Sequence, residues 1–279
     1  MLSILKKIYR RIRVRKVVPS PVVRMLEAIL YGGSRRESFL VRLLGALHRS
    51  QFRREWLLCP SEQPPYYNQR WNGFNFVYSK SRTPYPFTRG FLVSEIVHPG
   101  DRLLDIGCGD GFFTNSFYSS LCLHVDAIDI EPSAIKTARK LNSARNIDFH
   151  LLDAVHDPFP SDQYDVIVWD GAVGHFAEAD LAAVLDKIAR ALSPSGIFVG
   201  SESLGIEGSD HQQFFEDESA LAAVFTPYFE HVLMRKLEYR IGTGFLRTEG
   251  YWRCANDLSL RHESTTWADY AGRGAAAGR

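Results

Sequence analysis

Between about residue 89 and about residue 258 the sequence alternates short β-branched runs with stretches of helical spacing, and nothing else in the chain restricts the fold as much. Strands that return parallel to one another need a crossover of a dozen or more residues, usually a helix, and both faces of the resulting sheet are then covered. The pattern predicts an α/β domain with a mostly parallel, doubly wound sheet. Strands are expected over 102–106, 125–130, 148–152, 166–169 and 197–200, with helices near Phe113, near Ile135 and over 179–192. In the last helix Leu181, Val184, Leu185, Ile188 and Leu192 recur at helical spacing, and Pro194 with Gly196 ends it. A helix around Ala220 leads into a closing pair of strands, 231–238 and 251–254.

Outside this domain, 89–258, three further regions are expected. Residues 1–60 read as a basic helical extension: no acid precedes Glu27, while Lys6, Lys7, Arg10, Arg11, Arg13, Arg15 and Lys16 surround Leu5, Ile8, Tyr9 and Ile12, which share one helical face. Ser34 with Glu37 has the spacing of a capping box. Residues 61–88 form a proline- and aromatic-rich linker or lid without helical or alternating period. Its Tyr66, Tyr67, Trp71, Phe74, Phe76 and Tyr78 either line a substrate pocket or, the favoured reading, pin an irregular segment to the core. Residues 259–279 read as a flexible tail.

Composition is that of a globular chain, 45% apolar and 23% charged, with a net charge of +1 that points to no polyanionic partner by itself. No run reaches the roughly 18 to 20 apolar residues of a membrane span, and the basic start lacks a secretory apolar stretch. The expected location is cytoplasmic. Cys59, Cys108, Cys122 and Cys254 are too scattered for a zinc site or a disulfide framework and read as free thiols.

Chemistry concentrates in LLDIGCGDGFFT, an apolar strand ending near Asp105, then Gly107, Gly109 and Gly111 in a tight loop, then a helix start. Dinucleotide-binding domains also place glycines there, but with wider spacing between the second and third. Asp105 would moreover face a pyrophosphate, and like charges about 4 Å apart cost on the order of 1 to 4 kcal/mol. A ligand with cationic groups and no phosphate suits an acid in this loop.

DIGCGDG resembles the first motif of the class I S-adenosylmethionine-dependent methyltransferases, whose loop wraps the methionine half of that ligand. The likeness extends through VDAIDIEPSAI, DFHLLDAVHDPFP and YDVIVWDGAVGHF in the same order. It implies a Rossmann-like, seven-stranded sheet that binds S-adenosyl-L-methionine and leaves S-adenosyl-L-homocysteine. It also implies that Asp105, Gly107, Cys108, Gly109 and Gly111 form the loop, that Asp129 accepts from the ribose hydroxyls and Ile130 packs on the adenine, and that Asp153 and Ala154 meet its amino group. Trp169, at the end of the fourth strand, completes the expected cofactor set. Asp105 as a turn cap and Asp129 as a helix N-cap are the plain alternatives, and their placement at consecutive strand ends disfavours both.

His175, just after the fourth strand, is the candidate general base, with a role in merely ordering its loop left equally open. His211, with Glu202 and Glu207 upstream, is a second candidate for the acceptor side, although an ordinary polar loop is the favoured reading there. WDGA departs from the [DN]PP[YF] pattern of enzymes that methylate planar amines. Asp170 resembles the first metal-binding acid of catechol-type enzymes, but IFVGSES lacks the acid–amide pair that would complete a magnesium site, so no metal is expected. The predicted function is methyl transfer to an oxygen or nitrogen of a small-molecule acceptor, with glycan or lipid-linked acceptors slightly ahead. A non-catalytic adenosylmethionine-binding regulatory subunit, an RNA methyltransferase using the basic arm, and a nicotinamide-dependent oxidoreductase are the competing readings. Residues 1–20 suit peripheral contact with the anionic inner face of a membrane more than nucleic acid, and packing on the domain or on another copy most of all.

Overall fold

In the computed structural model the described residues are 85–205, 211–241, 245–257 and 268–269. The chain divides into two units, Met1–Arg54 and Glu55–Arg279, and every described residue lies in the second. The expectations for the basic extension, the capping box at Ser34 and the aromatic side chains of the linker fall outside the described residues.

The strands are β1 (Arg102–Ile106), β2 (His124–Asp129), β3 (Ile147–Leu151), β4 (Tyr164–Asp170), β5 (Leu192–Leu204), β6 (His231–Ile241), β7 (Phe245–Ala255) and β8 (Ala268–Asp269). They form one sheet in the order β3-β2-β1-β4-β5-β7-β6-β8. The first five strands pair in parallel, whereas β7 runs antiparallel between β5 and β6. The doubly wound, mostly parallel sheet is as expected, with seven main strands and a two-residue eighth at its edge. At that edge Leu233↔Asp269 and Met234↔Ala268 are in register.

Strand alternation sorts the core onto two faces. Leu103, Val166, Val168, Ile197 and Val199 pack with α1 (Tyr85–Ser94) and α2 (Pro132–Leu141) through Val93, Ile135 and Ala138. Leu104, Ile167, Trp169 and Phe198 point to the other face, where α3 (Glu178–Ala191) contributes Leu181, Val184, Leu185 and Ile188, and α4 (Glu218–Phe225) contributes Leu221 and Phe225. Side chains on a strand alternate in direction, so consecutive apolar residues fill both layers. Glu178 and Asp180 open α3 and Arg190 closes it, each matching the sign of the nearby helix end. Asp217 caps α4, its Oδ1 accepting from the amides of Ser219 and Ala220 at 2.9 Å.

Two local expectations are corrected. Residues 85–88, assigned to an irregular linker, form the first turn of α1, with Pro86 where the first turn of a helix tolerates its missing amide. Near Phe113 the chain makes a π-helical turn, Thr114–Tyr118, closed by the Ser119 amide donating to the Thr114 carbonyl at 2.9 Å. Such turns are frequent at functional sites, and this one carries two side chains, Thr114 and Tyr118, into the candidate site.

Candidate functional site

The glycine loop leaves the carboxyl end of β1 and is tied to β2 by its backbone. The amides of Gly107 and Cys108 donate to the Ile128 carbonyl at 2.9 and 3.0 Å, and the Gly109 amide donates to Asp129 Oδ2 at 2.8 Å. Gly107, Gly109 and Gly111 have φ of 70°, 57° and 71°, a region that costs other residues about 1 to 2 kcal/mol. At Gly111 a Cβ would also fall 2.5 Å from Phe149 Cζ.

Asp129 is half-buried at the end of β2. Its Oδ1 accepts from the Glu131 amide at 2.8 Å, so each carboxylate oxygen holds one backbone donor and keeps a lone pair for another. Burial raises its pKa, against the lowering effect of those two amides. The helix that follows is capped by Glu131 rather than by Asp129, since Glu131 Oε1 accepts from the Ser133 amide at 3.0 Å. Ile130 is 65% exposed, an apolar side chain open to a flat ligand. Just after the neighbouring strand β3, Asp153 Oδ1 accepts from the Val155 amide at 2.8 Å and Oδ2 meets His156 Nδ1 at 2.9 Å. The His156 hydrogen bond holds the Asp153 pKa below its ordinary value. Ala154 is partly buried beside it.

Asp105 is 5% exposed and accepts from Thr114 Oγ1 at 2.5 Å. Burial, aided by the negative charge of Asp170, pushes its pKa from 3.8 to about 7 against the pull of Thr114 and Arg89. Asp170 Oδ1 accepts from Ser201 Oγ at 2.8 Å and its Oδ2 from Tyr118 Oη at 3.4 Å. Burial raises the Asp170 pKa too, and Glu202 adds to the rise. Glu249 on β7, beside Ser203 of β5, is pushed up to about 7 by burial, although Arg247 pairs with it. The Arg89 guanidinium lies 4.2 Å over the Phe113 ring, and its charge steadies Asp105, Asp170 and Glu249 alike. Buried carboxylates therefore crowd the carboxyl ends of β1, β4, β5 and the adjoining start of β7. Such a cluster favours a cation.

The raised pKa of Asp105 gives a pH prediction. Below about pH 4 the group is protonated whether or not the chain is folded, and above about pH 7 it is ionised in both. Between these values the folded form holds a proton that the unfolded chain has released, so stability falls as pH rises through the window. Thermal unfolding of Asp105→Asn across pH 4 to 8 should show a shallower decline than wild type. Parallel profiles would mean that Asp105 titrates normally.

His175 sits in a 3-10 turn (Val173–His175) after β4, its ring centroid 4.2 Å from that of His211. His211 Nε2 lies 3.7 Å from Oε1 of buried Glu202, whose Oε2 accepts from the Gly174 amide at 2.9 Å. Burial would raise the Glu202 pKa, but the hydrogen bonds from His211, Gly174 and Ser203 together bring it below normal. The structure thus joins His175 of the turn after β4, His211 of a later loop and Glu202 of β5.

Trp169 is a correction. It has no exposed surface, packs edge-on against Phe176 at 5.0 Å and shares the core with α3, so it offers no surface to a ligand. Its position on β4 has the same parity as Ile167, which turns both to that face. In its place Arg89, Thr114, Tyr118, Ser201 and Glu249 surround the acids, none of them expected as site residues. Only Thr114, directly after the glycine loop, carried a local signal.

A glycine loop with acids at successive strand ends defines an α/β domain that binds at the carboxyl edge of its sheet. Residues 103–196 match the family model described as a methyltransferase domain. The chain is 36% identical over 103 residues to an uncharacterized methyltransferase of Schizosaccharomyces pombe, covering 36% of this chain and 38% of that protein. It is 32% identical over 124 residues to the ubiquinone biosynthesis O-methyltransferase of Xylella fastidiosa strain 9a5c, covering 42% of this chain and 48% of that protein. Each match spans less than half the length of the relative. The N-methyltransferase NodS of Bradyrhizobium japonicum WM9 shares the fold, with a TM-score of 0.50 at 16% identity over 62% of this chain and 97% of that one.

Proposed function

We propose that the chain is an S-adenosylmethionine-dependent methyltransferase acting on an oxygen or nitrogen of a small-molecule acceptor, with glycan or lipid-linked acceptors favoured. One observation carries this reading: buried carboxylates, Asp105 foremost, stand at the strand ends around a left-handed glycine loop. A pyrophosphate would be repelled there, whereas an ammonium and a sulfonium would be held. The residues fit the group, since Asp129 keeps an acceptor site on each oxygen and Ile130 presents an exposed apolar face beside it. Asp129 would hold the ribose, Ile130 and Asp153 with Ala154 the adenine end, and Asp105 with the Gly107–Gly111 loop the amino-acid end. When bound, the ligand supplies an electrophilic methyl group on a sulfonium.

The protein's remaining task is to hold the acceptor atom in line and to receive its proton. Orientation of this kind is worth about 7 to 11 kcal/mol. His175 is assigned the proton, and His211, backed by Glu202, fixes its ring. The X. fastidiosa relative's name, an O-methyltransferase of ubiquinone biosynthesis, supports an oxygen acceptor.

Incubation with labelled S-adenosylmethionine and a panel of phenolic, glycan and lipid-linked acceptors tests the assignment. His175→Ala is expected to lower the rate on the acceptor found by about 10²- to 10⁴-fold and to leave S-adenosylhomocysteine affinity unchanged. An equal fall in affinity and rate would make His175 an ordering residue, and binding without transfer to any acceptor would favour the regulatory-subunit reading.

A further inference from the structure

The opposite end of β2 carries a second cluster. His124 and Asp126 alternate along β2, Asp148 and His150 along β3, and the register Asp126↔Asp148, Ile128↔His150 puts all four on one face of the strand pair. From there to Asp129 is about 10 Å along the strand at about 3.3 Å per residue. The cluster is separate from the adenosyl site.

We infer that His124, Asp126 and Asp148 form a site for a divalent first-row transition ion of the zinc type. His124 Nε2 lies 3.3 Å from Asp126 Oδ1 and 3.8 Å from Asp148 Oδ2, and the three ligand atoms all fall within 4.8 Å of one another. Bonds of about 2.0 to 2.2 Å in a tetrahedral site put neighbouring ligand atoms roughly 3.3 to 3.6 Å apart, and the two His124 pairs, at 3.3 and 3.8 Å, already stand near that spacing. The remaining position falls to water, since the Asp148 side chain is 70% exposed and leaves the site open.

The surroundings resemble the outer shell that orients metal ligands. Asp126 is buried, and its Oδ2 accepts from Tyr164 Oη at 3.1 Å with Arg102 Nη2 at 3.6 Å. His150 Nε2 holds Oδ1 from a third direction at 3.1 Å. Ligands on paired strands are held more firmly than ligands on loops. An imidazole with two carboxylates selects zinc, nickel or copper over magnesium, which prefers oxygen ligands alone. The expected absence of metal rested on cysteine spacing and on the fifth strand, and neither bears on β2 and β3.

The full chain, stripped with a chelator and titrated with Co(II) and then Zn(II), tests the site. Wild type should take up one equivalent of Co(II) with visible d–d absorption, lose the absorption to Zn(II), and unfold at higher temperature with Zn(II) present. Asp148→Ala, at an exposed position, and His124→Gln should each weaken uptake at least tenfold and abolish the thermal shift, with wild-type circular dichroism. No stoichiometric uptake by wild type, or undiminished uptake by both folded variants, would overturn the site.

Discussion

Gly200→Ala is expected to destabilise the fold by at least about 3 kcal/mol. Gly200 lies inside β5, level with Trp169 of β4 on one side and Trp252 of β7 on the other. A Cβ there would stand 2.1 Å from the Trp169 carbonyl oxygen and 2.3 Å from Trp252 Cζ2, against ordinary contact distances of about 3.5 to 4.0 Å. Neither neighbour can retreat. Both tryptophans have no exposed surface, and the carbonyl belongs to a strand paired on both sides. Overpacking in a core costs about 1 to 3 kcal/mol, and more when backbone must shift, so a loss of at least about 3 kcal/mol is expected from a total that is typically about 5 to 15. For a domain of this size that is a fall of roughly 6 to 12 °C in Tm, accompanied by poor soluble yield. Thermal unfolding followed by circular dichroism measures it, and a Tm within about 2 °C of wild type would contradict the packing of β4, β5 and β7 described above.

Asp129→Ala is expected to weaken adenosyl-ligand binding by at least about a hundredfold while leaving the sheet folded. The carboxylate has two duties. It anchors the Gly109 and Glu131 amides, each at 2.8 Å, and under the proposed function its one remaining acceptor site per oxygen would take the ribose. A hydrogen bond to a charged group contributes about 1.5 to 3 kcal/mol, so two lost ribose contacts exceed the roughly 2.7 kcal/mol that a hundredfold change represents. Asp129→Asn keeps the shape and one carbonyl oxygen but turns an amide group toward a backbone donor, and an intermediate loss near tenfold follows. Calorimetric titration with S-adenosylhomocysteine distinguishes the cases. A change below about threefold for Asp129→Ala would mean that the ligand does not rest on this acid.

The parallel sheet was legible because β-branched runs and helical spacing are local properties. The first strand, 102–106, agrees with the structure at both ends, while β5 and the β6–β7 pair run longer than expected. Strand ends depend on what a neighbour offers for pairing, and no short window contains that. The first turn of α1 was hidden by Pro84 and Pro86, which lower helix propensity even where a first turn accepts proline.

Asp105, Asp129 and the glycines could be placed from one short segment each, since a strand end and a tight loop fix their position. Arg89 and Glu249 could not. Arg89 reaches the acids from a helix preceding the sheet, and Glu249 arrives because β7 runs antiparallel and sets it beside Ser203. Trp169 shows the converse error: its nearness to the strand end suggested the site, although alternation with Ile167 already turned it toward the α3 face. The contact of His175 with His211 joins loops 36 positions apart in sequence and depends on the Glu202 hydrogen bond to Gly174.

Equilibrium titration of the full chain with S-adenosylmethionine, S-adenosylhomocysteine and NAD tests the central claim most directly. One equivalent of each adenosyl ligand should bind and NAD should not, because buried Asp105 stands where a pyrophosphate would lie. Binding of NAD, or the failure of a folded protein to bind either adenosyl ligand, would contradict the proposed function.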